Sequence, residues 1–153
     1  TLNKRNKRNM EKQPQFPFAP KDFARCLNAT CPRSQNCLRR TAALQDTDEH
    51  LFLKVVNPLR YPKEGEECEL FRSTDKVRMA WGVTHLLDNV PYKEGSLLRT
   101  MIINHLGRSQ YYRCFRKERP FSPQDQQTIR LLFRQRGISE EPSFDYYTNE
   151  FNW

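Results

Sequence analysis

Ten prolines stand against five glycines in this 153-residue chain. That ratio limits the architectures open to it. Glycine supplies the positive φ that tight hairpin turns and phosphate-cradling loops need. Its scarcity argues against an all-β fold built on short hairpins and against Gly-rich phosphate sites. Proline instead punctuates: it opens helices at their first position and stops them where it follows. Ten Phe, six Tyr and two Trp are too many aromatics for a disordered chain, so a packed core is expected. The length fits one ordinary domain, or a small domain with an appended module.

The helical punctuation is clearest over residues 73–137. Ser73-Thr74-Asp75 offers N-caps, and Val77, Ala80, Trp81, Thr84 and Leu87 follow at helical spacing, with Asn89 and Pro91 as the stop. A second helix is predicted over 93–106, with Leu97, Leu98, Met101, Ile102 and His105 on one side and Gly107 closing it. Ser109 caps a third, running from Gln110 to about Glu118 and stopped by Pro120. Ser122-Pro123-Gln124-Asp125 gives a cap, a first-turn proline and an early acid for a fourth. That helix carries Ile129, Leu132, Phe133 and Arg136 on one stripe and ends at Gly137.

Charge is unevenly spread around the net +8. Residues 1–12 form a basic tail read as solvated and disordered. Residues 1–9, ahead of Met10, are left open between a natural upstream extension, a foreign addition and a mis-set start. Residues 107–137 carry eight cations against Glu118 and Asp125, a net +6. The segment 138–153 then turns acidic and aromatic, with Glu140, Glu141, Asp145 and Glu150 among Phe144, Tyr146, Tyr147, Phe151 and Trp153. It is expected to dock on the basic body or to offer aromatics to a protein partner. No run of 18 apolar residues is present, so no membrane span is expected, and no signal peptide is recognised. A cytoplasmic setting follows as the expectation.

The third signal is cysteine. Cys26-x4-Cys31-x5-Cys37 with Cys68 offers four thiolates, while Cys114 stands apart. Clustered cysteines without a signal peptide favour metal over disulfides. Four thiolates satisfy the tetrahedron of a structural zinc, and an iron–sulfur cluster takes the same donors. The neighbours Arg25, Arg33, Arg39 and Arg40 would offset the added negative charge. A filled zinc shell is structural and would hold together a segment poor in apolar residues.

Leu98–Gly107 followed by Arg108–Arg119 has the outline of a helix-turn-helix. In such a unit the first helix orients the second, which presents side chains to a nucleic-acid groove. Tyr112 and Phe115 would share the buried face. Arg108, Ser109, Gln110, Tyr111, Arg113, Arg116 and Lys117 would then contact DNA or RNA, with arginine and glutamine suited to base edges and lysine and serine to phosphates. Catalysis has little support. His50, His85 and His105 are scattered, and Tyr111-Tyr112-Arg113 lacks the histidine pair that a tyrosine nucleophile acting on phosphodiesters needs. No small-molecule substrate is evident.

A resemblance adds to this reading. Cys26-Leu27-Asn28-Ala29-Thr30-Cys31-Pro32, Cys37-Leu38-Arg39, Asn57-Pro58, Cys68, Phe71-Arg72, Gly107-Arg108, Tyr111-Tyr112-Arg113 and Phe144-Asp145 resemble a family of small proteins of anaerobic gut bacteria, characterised only as a domain of unknown function. The likeness covers nearly the whole chain from residue 16 and implies a bacterial, cytoplasmic setting with no assigned activity. A second, topological likeness is to the repressor-type helix-turn-helix over residues 97–133.

The expectation is thus a mainly α fold with a helix-turn-helix-like C-terminal half. Its parts are the tail 1–12, a Pro/Phe lead-in and Cys-rich subregion 13–72 stapled by a four-cysteine metal site, the basic helices 73–137, and the docked tail 138–153. Its expected function is non-catalytic nucleic-acid binding by a small bacterial regulator with a structural zinc. The alternatives are a module docking on transcription or translation machinery and an iron–sulfur redox or sensor protein.

Overall fold

The computed structural model of the chain describes residues 17–45 and 50–153. The basic tail 1–12 and the Pro14 and Phe16 of the lead-in lie outside the described residues. The chain divides into two compact units, one running up to Ser73 and including Trp153, the other Thr74–Asn152.

The second unit combines three helices with a two-stranded antiparallel sheet. Strand β1 (Lys76–Trp81) pairs with β2 (Tyr146–Phe151) from Lys76 opposite Phe151 to Trp81 opposite Tyr146. Between them in sequence run α2 (Tyr92–Leu106), α3 (Arg108–Phe115) and α4 (Pro123–Gln135). Ring contacts reinforce the pairing. Trp81 stacks on Tyr146 at 5.9 Å and its indole N–H donates to Thr148 Oγ1 at 2.8 Å. The Arg78 guanidinium lies over the Tyr147 ring at 3.8 Å. On its other side β1 bonds to Phe121: the Ala80 and Phe121 backbones exchange hydrogen bonds of 3.1 and 2.7 Å. The core gathers below, from Ala80, Leu98, Ile102, Cys114, Phe121 and Ile129, each no more than 1% exposed.

Local chemistry sets the helix ends. Ser122 accepts from the Asp125 N–H and Asp125 accepts from the Ser122 N–H, both at 3.1 Å, closing a capping box ahead of α4 with Pro123 in the first turn. Gly107, at φ +84°, is both the last residue of one helix end and the first of the next: its N–H bonds Ile103 and its carbonyl receives Tyr111. A left-handed residue at this corner is what lets α3 leave α2 without a longer turn.

The first unit has little regular structure. Helix α1 (Leu38–Gln45) is its one α-helix among the described residues, with short 3-10 turns at Ser34–Asn36 and Pro58–Arg60. Single β-bridges join Arg25 to Val55 and Cys37 to Ser73. Arginines close the remaining gaps by donating to loop carbonyls: Arg39 to Leu70 at 2.8 Å and Ala24 at 2.9 Å, and the fully buried Arg25 to Phe23 at 3.1 Å.

The mainly α expectation is corrected on both sides. The helix expected from Val77 to Leu87 is instead β1 followed by a turn at Gly82. Val77 and Met79 alternate with Lys76 and Arg78, and over so few residues that alternation competes with the helical spacing. The partner strand lies 65 residues away, so the pairing needs no tight hairpin and the glycine argument did not bear on it. The four-cysteine metal staple is also overturned. Among the described residues no group of three or more His, Cys, Asp or Glu is arranged to hold a metal ion. Bridges and arginine-to-carbonyl bonds hold the segment, and the arginines expected to offset thiolate charge serve the backbone or, for Arg33, the Phe71 ring at 3.5 Å.

Candidate functional site

The expected nucleic-acid face rests on α2 and α3, and the structure rotates α3 relative to the sequence reading. Tyr111 and Cys114 are the residues it buries. Tyr112 is half-buried and Phe115 is exposed. Tyr111 therefore cannot serve as a surface contact. Burial pushes its phenol up, with the Arg99 charge and hydrogen bond acting against that. The chemistry of a tyrosine nucleophile gains nothing from such a site.

The other candidates divide by their partners. Arg108 and Ser109 are exposed in the first turn of α3, with the Arg108 guanidinium 5.5 Å from the Tyr112 ring. Arg113 is exposed and bonds Gln110 Oε1 at 3.5 Å, and its charge adds to that of Arg116 in lowering the Glu118 carboxyl. Arg116 is held by Glu118 through bonds of 2.7 and 3.2 Å. Lys117, past the helix end and left-handed at φ +59°, pairs with Asp145 at 3.1 Å. Further along the basic stretch, Arg119 meets Asp125, Arg130 and Arg134 meet Glu141, and Arg136 meets Glu94. Six of the eight cations over 107–137 thus have a carboxylate partner. Arg108 and Arg113 make no ion pair among the described residues. Arg99 of α2, exposed and acting on the Tyr111 phenol, was missed. Its signal was its place between Leu98 and Ile102 on the outward side of the helix.

Asp145 is held from several sides. Its carboxylate accepts from the Thr84 N–H at 3.0 Å and hydroxyl at 2.7 Å, besides Lys117. Burial acts to raise its pKa, but the bonds from Thr84 and Lys117 outweigh that and hold it below the ordinary aspartate value. Gly82, at φ +73°, lies against this carboxylate, and a Cβ there would collide with it. The acidic aromatic segment is therefore occupied in holding the second unit together.

Cys26, Cys31, Cys37 and Cys68 line one small cavity of about 20 Å³, enough for one water-sized guest. All four are unbridged. Burial chiefly raises the Cys26 thiol, a backbone hydrogen bond at Asn28 acts against that, and Cys37, Cys31 and Cys68 add smaller upward contributions. Sequence spacing thus identified residues that do converge. Cys114 is apart from them, buried, with its Sγ 3.9 Å from the Pro120 carbonyl oxygen. Of the histidines in this unit, His85 pairs with Asp88 and His105 lies 3.6 Å from Asp125.

The match that decides the relationship runs over residues 10–153. The chain belongs to the family of unknown function DUF6078. The likeness to an uncharacterised family is thereby shown, and the helix-turn-helix likeness is not. No curated protein and no solved structure matches this DUF6078 chain. No helix among its described residues is long and apolar enough to cross a membrane.

Proposed function

We propose that this chain is a non-catalytic nucleic-acid-binding protein, a small regulator whose contact surface is the outer side of the α2–α3 corner. The observation that supports the reading is the selective pairing of charge. Where carboxylates neutralise most of the basic stretch, Arg108 and Arg113 stay exposed and make no ion pair within 4 Å among the described residues, with Arg99 also exposed on α2. Guanidinium groups of this kind suit phosphate oxygens, and Ser109 adds a hydroxyl beside them. Three cations make a small electrostatic footprint. For three phosphate contacts the logarithm of affinity should fall against the logarithm of salt with a slope of roughly −2 to −3.

The test is fluorescence anisotropy with a labelled mixed-sequence duplex DNA and a matched single-stranded RNA, each at two salt concentrations. Binding to one of them is expected. Arg108→Gln with Arg113→Gln should weaken it and flatten the salt slope by about two contacts while the unfolding midpoint stays put. Absence of binding to both polymers at low salt ends the proposal, as does binding that the double variant leaves unchanged.

A further inference from the structure

A second basic site lies in the first unit, next to the thiol cavity, with which it shares Arg39, Val56 and Leu70. An open cavity of about 510 Å³ is lined by Asp22, Phe23, Arg39, Lys54, Arg72 and Trp153, among others. Its size falls in the range of small-molecule sites. Arg39, Lys54 and Arg72 stand there with one acidic side chain, Asp22. Neither Lys54 nor Arg72 has an ion-pair partner among the described residues, and both are exposed.

The backbone fixes where these cations stand. The Lys54 carbonyl receives the Arg25 N–H at 2.9 Å, beside the Arg25–Val55 bridge. The Arg72 carbonyl receives the Leu38 N–H at 2.7 Å, next to the Cys37–Ser73 bridge. Arg39 is locked by its two carbonyl bonds and lies 4.7 Å from the Phe23 ring centre. Burial and then the Arg72 charge pull Arg39 below its ordinary value. Two guanidinium groups near enough to repel one another, at an open cavity, are an arrangement that a bound anion relieves. The same cavity has an aromatic wall, Phe23 and Trp153 meeting edge to face at 5.3 Å. A cationic end with an aromatic wall suits a ligand that carries a phosphate and a flat ring.

We propose that this cavity binds a nucleoside monophosphate, with its phosphate at Arg72 and Lys54 and its base against Trp153 and Phe23. Arg39 strengthens the positive field and holds the aromatic wall. The site is independent of the α2–α3 surface.

Isothermal titration of the full chain with adenosine 5′-monophosphate tests it, with adenosine and inorganic phosphate as separate arms. The nucleotide should bind at least about tenfold more tightly than either fragment, because only it engages both ends of the cavity. Lys54→Gln with Arg72→Gln should weaken it about tenfold or more, an effect comparable to losing charge-assisted bonds to phosphate. Both side chains are exposed, so the double variant should keep its unfolding midpoint. Trp153→Ala should remove the advantage of the nucleotide over phosphate. Arg108→Gln with Arg113→Gln should leave nucleotide binding unchanged, which separates this site from the nucleic-acid reading. Three results would overturn the proposal: no binding of the adenine, guanine, cytosine or uracil nucleotides at millimolar concentration, equal binding of nucleotide and phosphate, or indifference to the Lys54/Arg72 double variant.

Discussion

The two units solve the same problem with different materials. The second buries large apolar side chains, among them Leu98, Ile102, Phe121, Ile129 and Phe133, under a strand pair and three helices. The first buries mostly small ones, Ala19, Ala42, Ala43, Cys37 and Val56 beside Phe23 and Leu38, together with a whole arginine. Where apolar area is short, the chain satisfies its loop carbonyls with guanidinium donors from Arg25, Arg39 and Arg40. A buried carbonyl without a donor costs more than a made bond returns, so these arginines define the loop paths. Charge has a different use in the second unit. There arginine and lysine meet carboxylates at the surface, which leaves few cations for a partner.

Four substitutions break or sharpen that contrast, each read from unfolding midpoints and denaturant titrations. Phe121→Ala should have the largest effect. The ring is fully buried, packs on Phe144 at 5.1 Å and sits where β1 meets the helices, so its loss should cost about 3–5 kcal/mol. Arg39→Met comes next, in the other unit. It keeps the apolar stem but strips the Leu70 and Ala24 carbonyls of their donor, for a loss of about 1–3 kcal/mol. If Arg39→Met proved neutral, arginine would not be what holds the first unit, and the contrast drawn here would fail. Ser122→Ala opens the capping box and should cost about 1 kcal/mol, with Asp125 left to hold one end alone.

The smallest effect concerns Asp145 and pH. Its folded pKa is held below the unfolded value, so its contribution is complete above the unfolded pKa. As pH falls through the folded pKa, that contribution disappears. The stability difference between the native chain and Asp145→Asn should therefore be present at neutral pH and shrink on acidification below the ordinary aspartate range. A difference that stays constant down to strong acid would show that the Thr84 and Lys117 bonds do not depend on the charge.

Much of the second unit could be read locally. The helices expected at 93–106 and after Ser122-Pro123 stand at Tyr92–Leu106 and Pro123–Gln135, since their caps and stops are written within a few residues of one another. The third helix starts two residues before the expected Gln110 and ends three before the expected Glu118, and its buried side is Tyr111 and Cys114 in place of Tyr112 and Phe115. That rotation could not be read from spacing, because an eight-residue helix with Tyr, Tyr, Cys and Phe offers two apolar sides. Helix α1 was not foreseen at all. Its signal, Leu38, Ala42 and Ala43 at helical spacing, is short and was obscured by the cysteines around it. At the candidate interface, Arg108, Ser109 and Arg113 could be read as exposed helical positions, and Glu118 stands two residues from the Arg116 it takes up, whereas the distant acid that takes up Lys117 could not be read.

The sequence by itself determined part of the punctuation of this protein: where α2 and α4 begin and end, and that Gly107 turns a corner. Those features depend on neighbours a few bonds away and on backbone preferences carried by single residues. The tertiary structure alone decided that Lys76–Trp81 is a strand, that the acidic aromatic segment is its partner, and that most of the basic stretch is neutralised. The strand pairing and the Lys117–Asp145 and Arg136–Glu94 pairs depend on groups far apart in the chain. A strand is chosen by the edge it pairs with, and a cation's availability is set by the carboxylate that folding brings within reach.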